Sequence, residues 1–418
     1  MFLSNNQLAV PLKLGKRPLF MLLAFFLGAL VGYVAGPNVA VIKPLGDVFI
    51  SLLKFLIGPL IFVSITLAIS FVADMRRLGK VFGRFLLYWA IVGLIAAFIG
   101  FTVAGIIKPG VGVKLEPPPG WTPPKLASLE DIIATVIPNN FIAPFLNLQG
   151  MQIIVAAILM GFAAVLLGKD MPDKKQLFVD MLNAILGVIY KFIDIVLWYA
   201  PIGIFALAAN LVGVAGGMVL GAVFKMVLTQ WIAYGIILLV VHPIILAGYL
   251  GVNPLQYWRK IYPAMITAFS TTSSSATMPV TLERASKLGV PVDMAQLIIP
   301  IAATINMQAV AAEMPIYVAW SSQMFGVSLT GGQIAIALFL GVIGAAACAG
   351  VPGGGIIVAA ITLSIMGLPL TPIPWIAGIY TLIDMPNTML NVTGDPLGVM
   401  VVAKGLGEFD KAKFYAPD

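Results

Sequence analysis

The sequence predicts an all-α, polytopic membrane protein whose C-terminal half contains an internal repeat. Composition is the first reason: 60% of the 418 residues are apolar and 10% charged, against roughly 45–50% and about 25% in soluble domains. Patterning is the second: apolar stretches of about 20 residues, the length that crosses a bilayer, recur from Pro18 to near Lys404, and mean hydropathy is +1.04. The third is a pair of late apolar segments broken at their centres by small and polar residues. A soluble chain this apolar has too little polar surface to cover itself, so a cytosolic enzyme and a disordered chain are both excluded. The single cysteine, Cys348, excludes a disulfide framework, a thiolate cluster and a CxxC redox pair. One histidine, His242, leaves no histidine-based zinc site.

Taken in order, spans are predicted near 18–36, 45–73, 82–107, 130–167, 176–209 and 214–250. The segment 109–127 carries Pro117, Pro118, Pro119, Pro123 and Pro124 and reads as an external loop, because proline removes backbone donors and blocks a helix. The segment 130–167 contains Pro138 and Pro144, exceeds the length of one span and is expected to be broken. Asp170–Lys175 and Asn253-Pro254 mark internal turns. Beyond them lie the interrupted segments, broken at Ser270–Thr277 and at Cys348–Gly355; each precedes an apolar helix with an asparagine inside it, Asn306 and Asn391. Hairpin-then-helix occurring twice points to a repeat inverted across the membrane plane, an arrangement that places a solute site near the midplane. The alternative is two loops between ordinary helices.

Charge placement gives the orientation. Lys13, Lys16, Arg17, Arg76, Arg77, Lys80, Arg84, Lys169, Lys174, Lys175, Arg259, Lys260, Arg284, Lys287, Lys404, Lys411 and Lys413 fall on one side if spans alternate. The other side receives Lys43, Lys108, Lys114 and Lys125. This positive-inside bias puts both termini in the cytoplasm. It also accounts for the net charge of +7 without a nucleic-acid partner. No removable signal peptide is read at the N-terminus. Lys54, Lys191, Asp194 and Lys225 are read as snorkelling or interfacial pairs, and His242 as a structural residue of the sixth span.

Between Lys287 and Lys404 there is no basic residue, yet Glu313, Asp384 and Asp395 lie inside apolar segments, whereas Asp293 starts one. An ionised carboxylate mid-membrane costs roughly 2.5–3.5 kcal/mol on insertion scales. Either some of these acids are protonated, or a cation reaches them: a distant residue, a metal ion or a substrate amine. Asp384, Asn387, Asn391 and Asp395 are spaced by three, four and four residues with Thr388 beside them, forming one stripe on a helix. Oxygen ligands of this kind suit a hard cation such as sodium; isolated polar residues of the same type also serve as interhelical hydrogen bonds. The serine-rich tip Thr271–Ser275 suits a carboxylate at a helix start. The glycine-rich tip Gly350–Gly355 permits close backbone approach and a gate. Together they suit a zwitterion bound with a cation.

These residues resemble the glutamate transporter family, the dicarboxylate/amino acid:cation symporters, and are similar to its sodium-aspartate members over nearly the whole chain. The resemblance is carried by Ser273–Thr281 against the family's SSSxTLPVT, Ala303–Met307, Ala349–Gly353 and Asn391–Asp395. It implies eight transmembrane helices plus two re-entrant hairpins, an elevator-type transporter and a homotrimer in the lipid of the plasma (inner) membrane. Residues 1–80 and 128–212 would be scaffold, 81–127 the third span and external loop. Residues 213–418 would be the transport domain, with hairpins at about 255–285 and 331–367. Ser274, flanked by Thr272 and Ser273, would hold a substrate α-carboxylate with Thr388 and Asn391 nearby, and Asp384 the α-amine. Val351, Pro352, Gly353 and Gly355 would form the gate. One sodium site would use Asn391, Asp395 and the carbonyls of Ala302 and Asn306; a second would use backbone at Thr304, Ala345, Ala346 and Cys348.

Departures from the family pattern bear on specificity. The family's NMDGT reads Asn306-Met-Gln-Ala-Val310, and its third-span tyrosine, threonine and serine align ungapped with Trp89, Val92 and Gly93. A third sodium site is therefore predicted absent. The arginine that reads a side-chain carboxylate is Asn387, and a second, in the first tip, is Thr272. An acidic substrate would face Asp384 with no counter-charge, a loss of several kcal/mol, so the expected substrate is a neutral amino acid that keeps its amine. Glu313 is read as a proton carrier, a contact for a basic side chain, or a scaffold acid. Alternatives to sodium-coupled uptake are a proton-coupled or uncoupled carrier of acidic or basic amino acids, an ion channel on the same fold, or a receptor. A membrane enzyme lacks a base partner and is not expected.

Overall fold

The computed structural model describes residues 17–70, 76–112, 140–147, 150–215, 218–348 and 353–417. Lys13 and Lys16, most of the expected external loop, the stretch around Pro138, and Val351 and Pro352 of the expected gate lie outside them. No β-strand occurs among the described residues. Helix α1 (Arg17–Ala35) passes through a 3₁₀ turn at Gly36–Ile42 into α2 (Lys43–Ser70), and α3 spans Arg76–Ile107. A short α4 (Ala143–Leu146) precedes α5 (Gly150–Asp170), and α6 runs Pro172–Ala215. Helix α7 (Met218–Ile236) continues through π-helical turns at Ile237–Val241 and Ile244–Leu250, a widening that straddles His242-Pro243, where proline has no N–H for the α ladder. Among the described residues, six helices are long and apolar enough to cross a membrane.

The second half holds the two hairpins. Helices α8 (Pro254–Thr271) and α9 (Ser274–Ala285) form the first, α12 (Gly331–Ala347) and α13 (Gly354–Ile365) the second. Between them lie α10 (Val292–Ile305) and α11 (Gln308–Met324); α14 (Ile373–Gly405) and the short α15 (Lys411–Tyr415) follow. The apolar segment expected to be one helix around Asn306 is instead two, because the chain leaves helical geometry at Asn306 (φ −86°, ψ 56°) and Met307 (φ −91°, ψ 73°). The asparagine is pulled out of the helix by a tertiary bond: its amide donates to Asp395 at 2.9 Å.

Helix α14 does the reverse and stays continuous through Pro386 and Pro396. Pro386 leaves the Leu382 carbonyl without its helical donor, and the Trp231 indole N–H supplies one at 3.0 Å. Near Pro396, the hydroxyls of Tyr257 and Tyr88 donate to the carbonyls of Thr393 (2.6 Å) and Gly394 (3.1 Å). Packing sorts the elements: α1, α2, α5 and α6 lie against one another, and α3 against α11 and α12. Helix α14 crosses the middle and touches α3, α7, α8 and α10 as well as α1 and α6. One buried cluster (Phe85, Tyr257, Ile298, Leu397) ties α3, α8, α10 and α14 together behind the two hairpin tips.

Candidate binding site between the hairpin tips

The first tip is built by a left-handed turn. Thr272 adopts φ +49°, unusual for a β-branched residue, and Ser273 then caps α9 by accepting from Ala276 N–H at 3.2 Å. Ser274 opens α9, and its hydroxyl faces Met307 Sδ at 4.0 Å. At the second tip, α12 ends at Cys348 and α13 begins after Gly353, itself left-handed at φ +78°. The glycines that follow are required by contact. A Cβ on Gly354 would lie 2.5 Å from the Cys348 carbonyl oxygen, and one on Gly355 would lie 1.9 Å from the Tyr380 hydroxyl. The backbone of Gly353, at the start of α13, lies beside the Asp384 carboxylate of α14.

A small polar cavity of about 10 Å³ lies between the tips, room for roughly one water. Thr272 and Ser274 line it from the first tip, Cys348 from the second, and Met307 and Val310 from the α10–α11 break. Tyr380, Asp384, Asn387, Thr388 and Asn391 line it from α14. The cavity as it stands is too small for an amino acid. Ser273, Gly353 and Gly355 stand behind this lining. Cys348, read from sequence as a backbone ligand alone, also presents itself to the cavity. Met307 and Tyr380 were missed, since a methionine and a tyrosine in apolar runs look like core.

One hydrogen-bonded chain runs behind the cavity. Ala309 N–H donates to Asn391 Oδ1 (2.8 Å), Asn391 Nδ2 to Asn387 Oδ1 (2.7 Å), and Asn387 Nδ2 to Glu313 Oε2 (2.8 Å) and the Tyr234 hydroxyl (3.3 Å). The Tyr317 hydroxyl bonds Glu313 Oε1. Thr388 donates to Asp384 at 3.3 Å. Glu313 is fully buried and does not line the cavity.

A second cluster sits deeper, at the α10–α11 break. Asp395 accepts from Asn306, and Gln308 Nε2 points to the Tyr88 hydroxyl (3.0 Å) and Asn306 Oδ1 (3.4 Å). Gln308 Oε1 lies 2.8 Å from His242 Nε2, so that ring nitrogen carries the hydrogen. His242 therefore belongs to a polar network as well as to its span. Tyr88 reaches this cluster, while the neighbouring Trp89, a helical step of about 100° away, donates to the Ile305 carbonyl at 2.8 Å. Val92 is buried, and Gly93 faces Val342. Gln308 brings an amide rather than a carboxylate to this cluster.

The residues expected around sodium are all oxygen donors. Asn306, Asn391 and Asp395 gather at the break; the Ala302 carbonyl accepts Asn306 N–H at 2.8 Å within α10. Thr304 lies in the last turn of α10, and Ala345, Ala346 and Cys348 end α12, which touches it. Helix C-termini present unpaired carbonyls and a negative dipole end, both favourable to a cation. Among the described residues no lysine or arginine pairs with Glu313, Asp384 or Asp395. The three acids sit in separate hydrogen-bonded clusters, and among the described residues no three His, Cys, Asp or Glu side chains gather as a metal site; a cation there would rely on amide and backbone oxygens beside a single carboxylate.

Broken helices and two hairpins around a polar cavity are the architecture of a multi-pass secondary transporter. The chain belongs to the sodium:dicarboxylate symporter family, whose model matches residues 18–405. It is 28% identical to the proton/glutamate-aspartate symporter of Escherichia coli over 95% of this chain and 93% of that protein. It is 29% identical to a C4-dicarboxylate transport protein of Burkholderia thailandensis over 96% of each. A C4-dicarboxylate transport protein of Rhizobium leguminosarum bv. trifolii is 27% identical over 96% of this chain and 92% of its own length.

Proposed function

We propose that this chain is a cation-coupled symporter of a neutral amino acid, moving its substrate by an elevator motion within a homotrimer of the plasma membrane. The observation that carries this reading is the acid in the cavity without a base. Asp384 lines the space between the tips, no cationic side chain accompanies it, and both hydrogens of the Asn387 amide are spent on Glu313 and Tyr234. A substrate amine satisfies Asp384, whereas a substrate side-chain carboxylate would meet an acid and find no free donor on Asn387. The start of α9 at Ser274 offers N–H groups and a hydroxyl to the α-carboxylate, with Thr388 and Asn391 opposite. Val310 and Asn387 then face the substrate side chain.

Sodium as a co-substrate would be held by Asn306, Asn391 and Asp395 with the Ala302 carbonyl, and by backbone at Thr304 and Ala345–Cys348. Its charge would offset Asp395, which accepts from the Asn306 amide. The Gln308 amide, turned toward Tyr88 and Asn306, supports the absence of a third sodium site. The scaffold-and-transport division and the cytoplasmic termini belong to this same reading.

A second reading is favoured by the relatives' names, which describe acidic substrates and, in one case, proton coupling. The two separate in one screen. The purified full-length protein is melted with each of the twenty amino acids and with succinate, in sodium, potassium or choline, at two pH values. Stabilisation by serine, alanine or threonine in sodium is the expected result; aspartate or succinate stabilising more strongly refutes the neutral-substrate reading.

A further inference from the structure

The Asn387 amide has its direction fixed from outside the cavity. A backbone N–H can only donate, so Ala309 N–H makes Asn391 Oδ1 an acceptor. Asn391 Nδ2 must then donate, Asn387 Oδ1 must accept, and Asn387 Nδ2 is left to donate to Glu313 and Tyr234. Neither of those acceptors lines the cavity. The polarity of the whole chain therefore ends on Glu313, whose second oxygen is occupied by Tyr317.

We propose that Glu313 is a positioning residue for substrate selection: it holds the Asn387 N–H groups away from the cavity, so that a bound side chain meets no donor from Asn387. The proposal rests on the neutral-amino-acid reading. The groups facing Glu313 are Tyr317 on its own helix, Tyr234 on α7, Asn387 with the more distant Asp384 and Tyr380 on α14, and Cys348 at the end of α12. None is basic. The role asks for an acceptor aimed at Asn387 and a second polar atom for Tyr317. Glutamine supplies both at the same reach. Aspartate keeps the carboxyl but falls one methylene short. A proton carrier makes the opposite demand, tolerating aspartate and failing with glutamine.

The test uses the full-length protein in proteoliposomes, with L-serine, L-alanine, L-aspartate and succinate as probes. Uptake KM, kcat and pH profile are measured for wild type, Glu313→Gln and Glu313→Asp. The expected result is that Glu313→Gln keeps the neutral-over-aspartate preference within about threefold and follows the wild-type pH profile, whereas Glu313→Asp lowers that preference about tenfold or more, mainly through KM. Loss of transport or of pH dependence in Glu313→Gln with Glu313→Asp near wild type overturns the proposal, as does equal behaviour of the two variants. Should Glu313→Asp not yield folded protein, Glu313→Leu is compared with and without Asn387→Leu. With the amide gone, it must have no further effect on preference, and an additive effect overturns the proposal. Wild type preferring aspartate or succinate to every neutral probe would sink the substrate reading instead, while the glutamine-against-aspartate contrast still decides the positioning role.

Discussion

Tyr380 is 4% exposed at the cavity wall, and the Gly355 Cα lies so close to it that a methyl there would overlap its hydroxyl. Alanine at 355 must displace the ring or lift the second tip. Gly355→Ala is expected to destabilise by about 1–3 kcal/mol, the usual range for overpacking, and to weaken substrate binding. Tyr380→Phe, which removes the nearest atom, should recover part of both; melting curves of the two single variants and the double variant measure the coupling. Asp384 differs in kind, since burying a carboxylate that has no basic partner among the described residues opposes folding. Asp384→Asn should therefore leave the ligand-free protein as stable as wild type, or more so. It should also reduce neutral amino-acid affinity about a hundredfold, read as loss of the ligand-induced melting shift. At this scale the stripe Asp384, Asn387, Thr388, Asn391 was legible, because helical spacing places these residues together and apolar surroundings make them conspicuous. Tyr380 and Met307 were not, since nothing local separates a cavity-lining side chain from a core one.

Helix α1 shows how an element is held in place without polar groups. Gly28 and Gly32 sit four residues apart, and a Cβ on them would lie 2.4 Å from the Phe205 carbonyl oxygen and 2.2 Å from that of Ala209. The helices α1 and α6 thus touch backbone to backbone, the small-residue contact by which membrane helices gain dispersion energy in the absence of a hydrophobic effect. Gly32→Leu should separate them, lowering the melting temperature by several degrees while leaving the Asp384 cavity chemistry intact. Unfolding scans with and without a stabilising amino acid would show a lower transition and a similar ligand-induced shift. The hairpins were visible in the sequence because serine and glycine runs interrupt apolar segments. The break at Asn306 was not, because its cause is Asp395, a partner far along the chain. The continuity of α14 was equally hidden, since the donor that serves the Leu382 carbonyl comes from Trp231 on another helix.

Across the whole molecule, charge is segregated. The net charge is +7, yet the three acids Glu313, Asp384 and Asp395 are buried in a region with no basic residue between Lys287 and Lys404. Each acid has amide or hydroxyl partners, which soften burial without cancelling charge. A zwitterion brings its own compensation for its carboxylate but only one positive group for Asp384, leaving Asp395 to be balanced separately. Substrate and cation should therefore bind with positive coupling, and linkage requires the effect to be reciprocal. Wild-type affinity for the preferred amino acid is expected to rise about tenfold or more across a hundredfold increase in sodium, and sodium affinity should rise by the same factor when substrate is present. Asp395→Asn should flatten both curves while leaving the fold intact, since an asparagine still accepts from Asn306; Glu313→Gln should leave both steep. Isothermal titrations at fixed pH, with choline replacing sodium, measure the coupling in both directions. A substrate curve that ignores sodium in the wild type would show that Asp395 is neutralised by a proton and that the coupling ion is not sodium.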